Sequence, residues 1–339
     1  MSRLTEVIKE YRGLGIEVQI DYEKFYLYSV ITHSTAVEGS TVTEVENRLL
    51  FDEGISPNKP IEQQLMNLDL KRAYEEAIGC ADQHIDYSVK LLCHLAGLVM
   101  RNTGKEYKTA AGNFSSADGE LRKLNVTAGR GGKSYLSYQK VPQRLEDFCN
   151  WLNAQRKSIR TEDIDDVYEL SFLAHYNLVS IHPWADGNGR MARLVMNMIQ
   201  AEFGTVPSIV KKDCRDEYIK SLAESQDTGE AKYFLEFMIC HHVQNLEKMI
   251  SEYKDTVDND TLNLGNDTIN MKNDTLNLTE KEKRIYEMIK KDTTISIAQL
   301  VADSGFSRPT VTRAIRTLKE KKLIDRAGAK KNGSWLINP

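Results

Sequence analysis

The sequence predicts a mainly α-helical protein with a small β-hairpin and, at its C-terminal end, a separate module of three helices and a two-stranded wing. Three observations carry this expectation. Apolar residues recur every three or four positions at Val167, Leu170, Leu173, Ala174, Leu178 and Ile181, and again at Met191, Leu194, Val195, Met198 and Ile199, which is the period of a helix with a buried face. Strand patterning is scarce outside one glycine-broken segment. Charge is split along the chain: residues 280–339 hold 14 Lys and Arg against 7 Asp and Glu, net +7, whereas the remainder holds 31 against 42, net −11. A basic module on an acidic body points to a polyanion partner for one end only.

With 339 residues, 41% of them hydrophobic and 28% charged, the chain has the composition of a folded protein with a sizeable core and not of a disordered one. Its longest apolar runs, Leu91 to Met100 and Phe234 to Cys240, are broken by His94 and Glu236 and fall short of a bilayer span, so no membrane crossing is expected. The opening MSRLTEVIKEYRG has no apolar core or small-residue cleavage site of a secretory signal, which predicts a cytoplasmic protein. Cys80, Cys93, Cys149, Cys214 and Cys240 are odd in number, widely spaced and without a C-x-x-C pair, as for reduced, packed thiols and no structural zinc.

Taken in order, residues 1–110 read as an N-terminal helical region and 111–250 as a core built around the two periodic helices. The hairpin is expected between Leu121 and Val141, where Gly129, Gly131 and Gly132 break the helical period and Leu124 to Ala128 is extended. Residues 251–279 read as a tether, because NDTLNLG, NDTINMK and NDTLNLT repeat one Asn- and Asp-rich heptad three times from Asn259 to Thr279. From 280 to 339 the pattern gives helices near 280–291, 296–303 and 307–321, a Ser304-Gly305-Phe306 turn, and then apolar Leu323, Ile324, Trp335, Leu336 and Ile337 around a Gly and Lys tip. This resembles a winged helix-turn-helix. Ser307 would cap a helix whose Arg308, Thr310, Arg313 and Arg316 face a DNA groove or its phosphates, the alternative being a protein-interaction or dimerisation module.

Between the periodic helices lies Ser180-Ile-His-Pro-Trp-Ala-Asp-Gly-Asn-Gly-Arg-Met-Ala-Arg193, whose residue types suit phosphate chemistry. Gly187 and Gly189 let backbone approach a ligand, and the amides opening the next helix present unpaired N–H groups with the positive end of the macrodipole behind them. Arg190 and Arg193, three apart, project from nearly one face and can fork onto phosphoryl oxygens. Asp186 is a carboxylate able to hold Mg²⁺ against those phosphates, and His182 can accept a hydroxyl proton near neutral pH.

His182 to Arg193 resembles the signature of the Fic family, His-Pro-Phe-x-Asp/Glu-Gly-Asn-Gly-Arg followed two residues later by Arg. The departure is Trp184 for the usual Phe. The resemblance covers roughly Tyr22 to Leu246 and implies a Fic helical core in which Leu121 to Pro142 is the flap hairpin that aligns the target. It implies that Val126, Thr127, Ala128 and Gly129 lie near the nucleotide, that Tyr218 and Gln226 contact adenosine, and that Gly187, Asn188 and Gly189 hold the α-phosphate. By the same carry-over Asp186 anchors Mg²⁺ or Mn²⁺, Arg190 neutralises the leaving pyrophosphate, and His182 takes the proton from a Ser, Thr or Tyr hydroxyl as ATP gives up AMP. Gly189, where the phosphate-transferring branch has Lys, sides with AMP transfer.

Ser34-Thr-Ala-Val-Glu38-Gly39 resembles the family's inhibitory motif, which implies that Glu38 pairs with Arg193 and blocks the productive pose of the γ-phosphate. The expected function is thus an autoinhibited protein adenylyltransferase acting on an unknown target protein or on itself, with removal of AMP as a second activity. The alternatives are a DNA-binding regulator whose core senses nucleotide, and transfer of another nucleotide such as UMP or GMP. Family members often self-associate, so a homodimer is a further expectation.

Overall fold

The computed structural model describes residues 2–16, 22–128, 134–265, 280–306, 308–320, 324–327 and 334–337. The chain divides into two units, Met1–Tyr11 with Glu23–Ile250, and Arg12–Tyr22 with Ser251–Pro339. Helices dominate, as expected: α1 Arg3–Gly13, α2 Tyr22–Val37, α3 Glu44–Asp52, α4 Ile61–Asp82, α5 Val89–Met100, α6 Val141–Ser158, α7 Ile164–Ile181, α8 Asn188–Glu202, α9 Arg215–Thr228 and α10 Lys232–Gly265. No helix among the described residues is long and apolar enough to cross a membrane.

The first unit is organised around α8, which packs against α4, α5 and α7. From Arg190 to Gln200 every side chain of α8 is buried, so the helix has no solvent face. Met191, Leu194 and Val195 join Leu70, Val99 and Leu178 in one continuous core. That core draws on residues both before and after position 110, so the two segments read separately from the sequence pack as one body. The polar residues of α8 survive burial because each finds partners: Asn197 accepts from Tyr74 Oη at 2.8 Å and donates to the Ser208 carbonyl at 2.9 Å.

Helix α2 is fixed by a buried polar network. Thr35 Oγ1 donates to Asn67 Oδ1 at 2.8 Å, and Asn47 Nδ2 donates to Thr32 Oγ1 at 2.7 Å and to Asn67 Oδ1 at 3.0 Å. Asn67 Nδ2 reaches Ser40 Oγ at 3.2 Å, just beyond the helix end. The last turn of α2, which carries the Ser34 to Glu38 motif, is thereby held from two neighbouring helices.

Two features differ from the sequence reading. The two-stranded antiparallel sheet of this unit, β1 Glu106–Thr109 with β2 Gly112–Ser115, paired from Glu106↔Ser115 to Thr109↔Gly112, precedes the segment from Leu121 to Val141 where a hairpin was expected. Its two-residue loop is Ala110-Ala111, without the Asn-Gly or Asp-Gly that marks such turns, and Gly112 at φ 108° supplies the left-handed residue one position later. Between 121 and 141 the described residues contain a single bridge, Thr127↔Ser134; Gly129, Gly131 and Gly132 lie outside the described residues. The tether also begins later than read, since α10 runs to Gly265 through the first heptad. A helix already nucleated adds residues at little cost, which lets it propagate into a segment of weak propensity. The second and third heptads lie outside the described residues.

The second unit contains α11 Glu280–Lys291, α12 Ile297–Ser304, α13 Arg308–Glu320 and an antiparallel wing of β3 Ile324–Ala327 and β4 Ser334–Ile337. A capping box at Ser296 and Gln299 starts α12, and Gly305 at φ 71° ends it. Ile285, Ile289, Leu300, Val311, Leu318 and Trp335 form a core of their own, and Trp335 Nε1 donates to the Ile295 carbonyl at 2.9 Å. On α13, Arg316 is exposed and Thr310 half-buried. Ser307 and the side chains of Arg308 and Arg313 lie outside the described residues.

Candidate active site

The site is built where α7 stops and α8 starts. Helix α7 ends on His182 in the left-handed region, φ 52° and ψ 62°, with its N–H donating to the Leu178 carbonyl at 3.0 Å. A non-glycine residue in that conformation is strained, and it is held here by what surrounds it. Trp184 is 1% exposed and donates from Nε1 to the Gly119 carbonyl at 3.0 Å. The Asn188 side chain closes the loop, accepting from Trp184 N at 3.0 Å and donating to Trp184 O at 2.8 Å. That side chain is therefore spent on structure, and what Asn188 offers a ligand is its backbone amide. Gly187 at φ 80° opens α8, and a Cβ there would meet Met100 Sδ at 2.8 Å.

The opening of α8 is a helix N-terminus, which favours an anion, and one carboxylate of this chain stands over it. Arg193, buried on α8, donates from Nη2 to Glu38 Oε1 at 2.6 Å and to the Ser34 carbonyl at 2.9 Å, and from Nε to Ser34 Oγ at 2.9 Å. A Cβ on Gly189 would lie 2.6 Å from Glu38 Oε1, so the carboxylate covers the first turn of α8 and tolerates no side chain beneath it. Burial works against ionised Glu38, but Arg193, with Arg190 and Arg215 behind it, outweighs this and holds its pKa below the ordinary value. Burial likewise opposes the charge on Arg193, and Tyr218 and Glu38 overcome it and raise its pKa.

Arg190 and Arg193 do not share a face as the spacing suggested. Arg190 turns toward the end of α5, with Nη1 3.5 Å from the Val99 carbonyl and Nη2 3.1 Å from Met100 Sδ, and Asp186 Oδ1 lies 3.5 Å away. Asp186 also accepts from Gly187 N at 2.6 Å, both contacts running through Oδ1. With a side chain 62% exposed beside the cradle, Asp186 fits the single-carboxylate type of Mg²⁺ site that substrate phosphates complete. Among the described residues no group of three or more His, Cys, Asp or Glu forms a metal cluster.

Tyr218, expected against adenosine, is buried behind Arg193. Its hydroxyl lies 3.3 Å from Arg193 Nη1 and 2.9 Å from His175 Nε2, so in this state it braces the arginine. Gln226 on α9 reaches Ser180 Oγ at 3.4 Å, two residues before His182.

Two residues absent from the sequence reading touch His182 directly. The Tyr135 ring stacks on the His182 imidazole, centroids 3.9 Å apart and planes 19° apart. Tyr135 N donates to the Val126 carbonyl at 3.1 Å, so the residue that lies on His182 is also paired with the segment carrying Val126. Arg122 donates from Nε to the His182 carbonyl at 2.7 Å. Burial pushes the His182 pKa down to about 4; the Val179 backbone, Asp186 and Glu38 pull it up and Arg122 lowers it further. The imidazole is therefore neutral at pH 7 and able to accept a proton. No motif logic announces Arg122 or Tyr135, which lie some fifty to sixty residues upstream without a distinguishing pattern.

A family model described as Fic/DOC family matches residues 86–200, and one described as winged helix-turn-helix DNA-binding matches residues 278–325. Protein adenylyltransferase fic-1 of Caenorhabditis elegans is 28% identical over 247 residues, covering 72% of this chain and 44% of that protein. The chain thus spans less than half the length of this curated relative. The crystal structure of a Fic domain containing signaling protein from Bacteroides thetaiotaomicron has the same fold over 75% of this chain and 98% of its own, with a TM-score of 0.62 at 19% identity. A Fic family protein from Desulfovibrio desulfuricans covers 100% of this chain and 96% of its own, TM-score 0.54 at 18% identity.

Proposed function

We propose, from the premise that residues 86–200 of this chain are a Fic domain, that the protein is an adenylyltransferase that moves AMP from ATP onto a protein hydroxyl and is held in check by Glu38. The observation that carries the reading is the Glu38 carboxylate 2.6 Å from Arg193 and above Gly189, at the helix opening best suited to a phosphate. A site that attracts an anion is occupied by one belonging to the chain itself.

With Glu38 withdrawn, Arg193 and the amides of Gly187 to Gly189 are released to hold phosphoryl oxygens. His182, kept neutral by burial, accepts the proton of the attacking Ser, Thr or Tyr hydroxyl. The oxygen bonds to the α-phosphorus in line with the departing pyrophosphate, whose charge Arg190 and Arg193 offset. Asp186 would hold Mg²⁺, which neutralises phosphate charge when bound. Gly189 supports nucleotidyl over phosphoryl transfer, because the phosphate-transferring branch of the family that the signature resembles carries Lys at that position. The unpaired cysteines fit a cytosolic setting, and the winged unit, with Arg316 exposed on α13, is read as a DNA contact.

The test uses ATP labelled on the α- or the γ-phosphate. Glu38→Gly should incorporate α-label faster than wild type and incorporate no γ-label. Equal rates for the two proteins would remove the brake from the account, and incorporation of γ-label would replace adenylyl by phosphoryl transfer.

A further inference from the structure

Arg122 is 1% exposed, and no carboxylate stands beside it among the described residues; burial lowers its pKa. A buried guanidinium without a counter-charge is expensive, so its donors are informative. They reach carbonyls from three places: His182 in the catalytic loop at 2.7 Å, Leu124 in the first arm of the flap at 2.8 Å, and Leu136 in the second arm. The Arg122 backbone N–H donates to the Pro183 carbonyl at 3.0 Å. One side chain thus ties both arms of the flap to the residue that follows α7.

The arms are also joined to each other, by Tyr135 N to Val126 O at 3.1 Å and Tyr138 N to Asn125 Oδ1 at 3.0 Å. Leu136, which Arg122 holds, adjoins Tyr135, whose ring lies on His182 at 3.9 Å. No carboxylate is hydrogen-bonded to the His182 imidazole among the described residues; the Val179 backbone, which raises its pKa, and the Tyr135 ring stacked on it hold the ring instead.

We propose that Arg122 is a positioning residue that locks the flap to the catalytic loop, keeping Tyr135 on His182 as a lid that the acceptor hydroxyl must displace. For its kinetic readout the inference rests on the adenylyl-transfer reading. Lys at 122 keeps the charge but cannot fork onto carbonyls from both arms and the loop. Without the lid, water reaches the base: its oxygen bonds to the α-phosphorus, the bond to pyrophosphate breaks, and His182 takes the proton, so AMP is released instead of transferred.

The experiment compares Glu38→Gly with its Arg122→Lys and Tyr135→Leu derivatives, using self-modification as the transfer reaction and amide hydrogen exchange of the flap as a readout independent of activity. In Arg122→Lys, exchange at the Tyr135 amide should quicken, and self-modification at saturating ATP should fall about tenfold while KM for ATP stays within about twofold. Tyr135→Leu should raise the share of ATP released as free AMP. Unchanged exchange in Arg122→Lys, or a KM for ATP that rises in step with the loss of rate, would make Arg122 a plain structural residue and overturn the proposal. An unchanged AMP share in Tyr135→Leu overturns the lid, and it decides the matter if Arg122→Lys does not fold. If the Glu38→Gly parent transfers no AMP, the functional reading fails by itself, while faster exchange at Tyr135 still supports the lock and unchanged exchange still defeats it.

Discussion

Arg193 has a side chain 3% exposed, and Glu38, its partner at 2.6 Å, keeps 36% of its own open to solvent. The pair is therefore asymmetric: the arginine also has Ser34 and Tyr218, whereas the arginine is the ion-pair partner of Glu38. Because the folded pKa of Glu38 lies below its unfolded value near 4.5, its contribution to stability is complete above that value and is lost as pH falls through the folded pKa. The stability gap between wild type and Glu38→Gln should hold through neutral pH and shrink below about pH 4.5 in urea titrations; a gap that widens with acid contradicts the charge assignment. At this scale the sequence was readable where chemistry is contiguous. His182, Asp186, Gly187 and Arg193 fall within twelve residues of one another, and Glu38 belongs to a short motif of its own. Arg122 and Tyr135 act through tertiary contacts that leave no local pattern, and the different directions of Arg190 and Arg193 depend on which neighbours, α5 or α2, each one meets.

Among the elements, the loop from His182 to Gly187 shows how packing holds an unfavourable backbone. Trp184 fills the space beneath it, and its indole N–H satisfies the Gly119 carbonyl, which a phenyl ring cannot do. Trp184→Phe should cost about 1–3 kcal/mol of unfolding free energy, from lost volume and an unsatisfied carbonyl. A stability equal to wild type in denaturant unfolding would show that the indole bond adds nothing. The helices α7 and α8 were legible from apolar period alone, as were α11 to α13 and the wing. The hairpin of β1 and β2 was not, because Ala110-Ala111 carries no turn signal, and the extent of α10 was missed because propagation overrides the weak helix preference of Asn and Asp.

Along the whole chain, charge sets residues 280–339 apart from the rest. The acidic remainder, net −11, includes the buried Arg190 and Arg193 of α8; the basic residues 280–339, net +7, fold around their own core. If the winged unit contacts DNA, binding of the full chain to duplex should weaken as salt rises, and Arg316→Glu should reduce the slope of log K against log salt by about one. Affinity that ignores salt would point instead to a protein partner. The division into a helical body and a winged module was visible in charge and composition, whereas the unity of residues 23–250 was not, since a core shared across position 110 is a property of packing. The central claim is that His182 drives adenylyl transfer once Glu38 is removed. Its most direct test is intact-mass analysis of Glu38→Gly, beside Glu38→Gly with His182→Ala, after incubation with ATP and Mg²⁺. The account predicts addition of one or more AMP groups to the first protein and none to the second; AMP on both, or on neither while nucleotide is bound, would contradict it.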